Sequence, residues 1–179
     1  MNSKQFLSAM AAVMVLAVTV MCVSMGLRHT AEDHYMQEKT EVVRFMLPES
    51  DSFAEILYEG DDESIRKVYK GQTGYVIETE VAGYADNILL IVGVDNSGKV
   101  KGISVRKMFE TLGLGSRAFT DYEFLMQFLH TTGDAQVGVN VDAMTGATVT
   151  SKAIARGVNS AVAYVTGADV SSGATSWGG

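Results

Sequence analysis

Tyr75 to Arg106 reads YVIETEVAGYADNILLIVGVDNSGKVKGISVR. Three β-branched runs stand in it, Tyr75 to Val81, Ile88 to Val94 and Val100 to Arg106, each bounded by glycine or polar residues. Such runs suit the pleated, half-buried surface of a sheet. Asp95 to Lys99, DNSGK, lies between the last two runs, so these strands form an antiparallel hairpin. Ile65 to Tyr69 supplies a further strand ahead of them, beyond the acidic turn Glu59 to Glu63. The predicted class is α+β, an antiparallel sheet with a few helices.

Helical patterns flank this region. Thr30, with Asp33 three residues on, starts a helix that runs through good helix formers to Leu47, where Pro48 stops it. Ser50 to Tyr58 is predicted as a short second helix. On the other side, Asp121 to His130 places Phe124, Leu125, Phe128 and Leu129 on one helical face, a pattern of core packing. Gln136 to Val141 reads as extended. From Thr150 to about Val165, Ala153, Ile154, Val158, Ala161 and Val162 form the apolar stripe of an amphipathic helix. The tail from Gly167 is small and polar, and is expected to be loose.

Phe6 to Leu27 contains no charged residue. At about 1.5 Å per residue it is long enough to cross the hydrocarbon core of a bilayer, and it is predicted as a transmembrane helix. A secretory signal has a shorter apolar region and a small-x-small cleavage site, which does not follow cleanly here. A lipoprotein signal ending at Cys22 is disfavoured by Met21 before the cysteine. The few flanking charges favour a cytoplasmic amino terminus, which puts the following domain outside the cytoplasmic membrane.

Removing residues 1–28 takes away two basic residues and no acidic one, so the net charge moves from -7 to -9. This argues against a nucleic-acid partner, because phosphate-backbone binding needs clustered Lys and Arg. Cys22 is the single cysteine, so no intramolecular disulfide and no cysteine metal cluster form. His29, His34 and His130 do not share a metal-ligating spacing. A Gly-x-Ser-x-Gly elbow, a Walker loop and a GxGxxG fingerprint are all absent from the sequence, so the chain is not expected to bind NAD itself.

Asp142 to Ser151, DAMTGATVTS, joins the extended run to the start of the amphipathic helix. Small residues there allow close backbone approach, and the free amides and dipole of a helix's first turn favour an anion such as phosphate. Ordinary helix capping uses the same residue types, so residue chemistry alone leaves both readings open.

Asp142-Ala-Met-Thr145-Gly146-Ala147-Thr148 resembles the pattern Asp-x-x-Ser/Thr-Gly-Ala-Thr of the FMN-binding domain family, found in the G subunit of Rnf complexes and the C subunit of sodium-pumping NADH:quinone reductases. Glu110-Thr111-Leu112-Gly113-Leu114-Gly115 resembles the family's Glu-Thr-Pro-Gly-Leu-Gly turn, with Leu112 in the place of proline. The resemblance implies FMN attached to Thr148 as a phosphoester by a flavin transferase that uses FAD. It also implies a cofactor site drawn from Glu110, Thr111, Gly113, Leu114, Gly115, Thr145, Gly146, Ala147, Val149 and Thr150. Asp169 to Thr175, DVSSGAT, matches the same pattern, but only Thr148 precedes an amphipathic helix.

The organisation expected on this basis is an anchor over 1–28, a helical stalk over 29–59, one FMN-binding domain over 60–166 and a flexible tail over 167–179. The compact length resembles the Rnf subunit more than the longer quinone-reductase subunit. The implied function is electron transfer within a membrane-bound, ion-translocating ferredoxin:NAD oxidoreductase, among other membrane subunits. The alternatives are a solitary membrane-anchored flavin carrier for extracytoplasmic electron transfer, the related subunit of a sodium-pumping NADH:quinone reductase, and an anchored scaffold without flavin.

Overall fold

The computed structural model describes residues 14, 16–23 and 41–168. Residues 14 and 16–23 are helical; the rest of the apolar segment 6–27, most of the predicted stalk helix and the tail from 169 lie outside the described residues. Among the described residues no helix is long and apolar enough to cross a membrane. The chain divides into two units, Met1–Glu41 and Val42–Gly179, and the second holds the sheet.

Five strands form an antiparallel meander in chain order: β1 (Ala54–Ile56), β2 (Ile65–Lys70), β3 (Gly74–Ala82), β4 (Asn87–Asp95) and β5 (Val100–Lys107). The central pair, β3 and β4, is in register from Gly74 opposite Asp95 to Ala82 opposite Asn87. The DNSGK hairpin forms as the sequence predicts. Asp95 Oδ1 accepts the amides of Ser97 at 2.9 Å and Lys99 at 3.0 Å and the Ser97 hydroxyl at 2.6 Å, while Gly98 takes φ +83°. Burial works to raise the Asp95 carboxyl, but these hydrogen bonds and the Lys101 charge outweigh it and hold the group below its ordinary value.

Alternation along β4 sends Ile88, Leu90, Val92 and Val94 into the larger core and Ile91 into a second, smaller one. The larger core lies under a long helix, α2 (Thr148–Thr166), which contributes Ala153, Ile154, Val158, Ala161 and Val162. Gly157 is where α2 comes closest to the sheet: a Cβ there would lie 2.7 Å from Leu90 Cδ1 and 2.9 Å from Thr79 Oγ1. On the opposite face Val43, Met46 and Leu47 pack on Tyr69, Val76 and Ile91. The Met46 carbonyl rests on Gly93 and Gly102, where side chains would obstruct it.

Three expectations are corrected. Part of Ser50–Tyr58 is the edge strand β1 rather than a helix: Ala54, Glu55 and Ile56 pair with Lys70, Tyr69 and Val68. Ser50 pins its start, accepting the Thr73 amide on Oγ at 3.1 Å. The helix predicted over Asp121–His130 is short, α1 (Tyr122–Met126). It gives way to turns that end at His130, with φ +68°, because the His130 amide donates to Val100 O at 2.8 Å and Thr131 O accepts the Val100 amide at 3.0 Å. The segment Gln136–Val141 is a compact turn and not a strand. Asn140 holds it, accepting the Gln136 amide at 2.7 Å and donating to Asp134 O at 2.9 Å.

Candidate functional site

Two turns, one from each sequence motif, lie side by side. After β5 the chain makes a turn in which the Leu114 amide donates to Thr111 O at 3.1 Å and Gly113 takes φ +75°. Positive φ at the third position is what a type II turn requires, and Leu112 occupies the second position, where proline is favoured. The motif turn has the same plan: the Ala147 amide donates to Met144 O at 2.9 Å and Gly146 takes φ +75°. Ser151, fully buried, staples this turn by accepting the Met144 amide at 3.0 Å and donating to Ala147 O at 2.9 Å.

Several contacts lock the two turns together. A Cβ on Gly146 would lie 2.9 Å from Leu114 Cδ2. Arg117, in the 3-10 helix Gly115–Phe119, donates to Thr145 O at 2.9 Å. Gln127, just after α1, holds the start of the motif: its Oε1 accepts the Asp142 amide at 2.7 Å and its Nε2 reaches Asp142 O at 3.4 Å. Arg156 ties α2 to the end of β3 through Ala82 O at 2.9 Å.

Glu110 joins three elements. Its Oε1 accepts the amides of Tyr84 at 2.9 Å and Ala85 at 3.1 Å, and its Oε2 accepts the Thr150 hydroxyl at 2.8 Å. The β3–β4 turn is thereby fastened to the first turn of α2. Gly83 and Gly115 leave the room: a Cβ on Gly83 would collide with Glu110 Oε1, and one on Gly115 would lie 2.7 Å from Thr150 Oγ1.

These elements enclose an open cleft of about 470 Å³, within the range of small-molecule and cofactor sites. Glu110, Thr111, Leu114 and Gly115 line one side, and Gly146, Ala147, Thr148, Val149 and Thr150 the other. Of the residues singled out in the sequence, Gly113 and Thr145 do not line it: Gly113 shapes its turn and Thr145 offers its carbonyl to Arg117. Tyr84, which sequence reasoning passed over, completes the wall. It sits at an exposed turn tip, and the one local sign was an aromatic residue among turn formers, GYADN.

Thr148 is exposed and is the first residue of α2. The helix starts two residues earlier than predicted, and its N-cap is Ala147, which gives no side-chain cap; its first turn holds no acidic residue. The leading amides of a 19-residue helix therefore lack the usual side-chain acceptor beside the cleft. This arrangement presents N–H donors, a dipole and one hydroxyl to an anionic group. The second motif copy, ending at Thr175, lies outside the described residues. Among the described residues no cluster of three or more His, Cys, Asp or Glu could hold a metal ion.

Comparison with known proteins matches residues 83–163 to the FMN-binding domain family. The chain is 36% identical over 143 residues to the G subunit of the proton-translocating ferredoxin:NAD(+) oxidoreductase complex of Clostridium ljungdahlii, covering 76% of each chain. It is 32% identical over 114 residues to the G subunit of the Na(+)-translocating ferredoxin:NAD(+) oxidoreductase complex of Acetobacterium woodii, covering 56% of this chain and 55% of the relative. It is 31% identical over 143 residues to the G subunit of the ion-translocating oxidoreductase complex of Methanosarcina acetivorans, covering 72% of this chain and 76% of the relative.

Proposed function

The chain belongs to the FMN-binding-domain family of oxidoreductase-complex G subunits, and from that premise we propose that it is an electron-transfer subunit of a membrane-bound, ion-translocating ferredoxin:NAD oxidoreductase complex, carrying FMN on Thr148 through a phosphoester. The observation that carries this reading is the position of Thr148, exposed at the uncapped start of α2 and on the wall of the cleft.

The residues present fit the cofactor. The N-terminal amides of α2 meet the phosphate's need for donors, and Ala147 offers no side chain that competes for them. The glycine at 146 lets the motif turn approach Leu114 closely, so that both reach the cleft wall. Apolar Leu114 and Val149 and aromatic Tyr84 suit the faces of a planar ring, and Glu110, Thr111 and Thr150 supply polar groups. FMN, when bound, supplies reversible uptake of electrons at its isoalloxazine ring.

The chain's own residues bind and orient. Thr148 tethers, the first turn of α2 neutralises, and the paired turns shape the wall. The segment 6–27 holds the domain at the cytoplasmic membrane on its outer face, beside the other subunits of the complex; a flavin transferase loads Thr148 during maturation. Intact mass of the chain purified from membranes tests the proposal. An increase equal to one FMN less one water is expected, and copurifying subunits distinguish a complex from a solitary carrier. An unmodified mass in a strain with an active flavin transferase would overturn it.

A further inference from the structure

Glu110 is 8% exposed, lines the cleft and accepts three hydrogen bonds without donating one. Two donors are backbone amides and the third is the Thr150 hydroxyl, a set that a carboxylate accepts in full. Among the described residues no Lys or Arg forms an ion pair with it. A buried negative charge without a paired cation is costly, and the three hydrogen bonds offset that cost only in part. Joining the turn at Tyr84 and Ala85 to α2 requires only a side chain of this reach with acceptors at its end, so the clamp by itself does not call for the charge.

We propose that Glu110 is a positioning residue that also lowers the reduction potential of the flavin, an inference that rests on the FMN reading above. A flavin held in the cleft would gain one negative charge on taking up two electrons and one proton. The electrons come from a low-potential donor, which is dithionite in the test below and is oxidised to sulfite. A fixed carboxylate in the cleft wall opposes that new charge, and the low dielectric of a partly enclosed site strengthens the opposition. Thr150 moderates the effect by donating to Oε2.

The test is a reductive titration of the flavin-loaded, detergent-solubilised full chain. Glu110→Gln keeps the reach and removes the charge, so its midpoint potential should rise. Thr150→Val removes the moderating hydroxyl with little change of shape, so its potential should fall. Glu110→Asp keeps the charge and shortens the reach, and should stay closer to wild type than Glu110→Gln. A purely structural clamp would loosen in the first two variants alike and move both potentials in the same direction, which would overturn the inference. So would a loaded Glu110→Gln with an unchanged or lower potential. If Glu110→Gln does not fold, an unchanged or higher potential in Thr150→Val overturns it independently. Wild-type chain without flavin would overturn the FMN reading itself, a different result from loaded proteins of equal potential.

Discussion

Glu110 Oε2 accepts the Thr150 hydroxyl at 2.8 Å, joining residues forty positions apart and both buried. One belongs to the turn after β5 and the other to the first turn of α2, so this bond makes a single site of two separate motifs. Its surroundings leave little spare room, and two glycines close by serve it for different reasons.

Gly115 serves through space and Gly113 through backbone conformation. A Cβ on Gly115 would lie 2.7 Å from Thr150 Oγ1 and 2.9 Å from Glu110 Oε2, whereas nothing lies within 4 Å of one on Gly113, which has φ +75°. Gly115→Ala should overpack the clamp, costing about 1–3 kcal/mol and lowering flavin occupancy. Gly113→Ala should cost about 1–2 kcal/mol from left-handed backbone alone, with flavin occupancy less affected. Denaturant unfolding and flavin absorbance per chain check the pair; equal occupancy losses would contradict the distinction.

Thr79, on β3 and facing α2, is fully buried, and its Oγ1 has no hydrogen-bond partner among the described residues. Thr79→Val keeps the shape and removes the unpaired hydroxyl, so it should stabilise the fold by about 1 kcal/mol. A shift of the denaturation midpoint with unchanged slope is the readout. Destabilisation would mean that the hydroxyl bonds to α2, whose Gly157 lies against it.

The Asp95 carboxyl is held below its ordinary value of 3.8 by hydrogen bonds from Ser97 and Lys99 and the charge of Lys101, against the opposing effect of burial. Since the folded value is the lower one, its contribution to stability is present above the unfolded value. It is lost as pH falls through the folded value. Stability measured from about pH 5 downward should therefore fall in wild type. It should fall less steeply in Asp95→Asn, which also starts lower at neutral pH because the turn loses its carboxylate acceptor. Parallel slopes would contradict the assignment.

The legible parts of this molecule are those whose cause is local. Ile88, Leu90, Val92 and Val94 alternate within one run, and DNSGK carries its own turn chemistry, so β4, β5 and their hairpin could be read directly. The edge strand β1 could not, because its three residues are extended by pairing with Val68, Tyr69 and Lys70. His130 likewise leaves the helical pattern to bond Val100, thirty residues earlier in the chain. The two motif turns were visible through their glycines. Their joint was not, since nothing near Glu110 in the sequence points to Thr150 or to Tyr84, which the Glu110 carboxylate fastens to the site.

The most direct measurement is flavin fluorescence of the denatured chain on a gel after coexpression with a flavin transferase, comparing wild type with Thr148→Ala and Thr175→Ala. Thr148 is exposed at the first position of α2, so alanine there removes the ester oxygen while losing little packing. Fluorescence is expected from wild type and Thr175→Ala and none from a folded Thr148→Ala chain. A fluorescent, mass-shifted Thr148→Ala band would contradict attachment at Thr148, and loss in Thr175→Ala alone would move the attachment to the second motif.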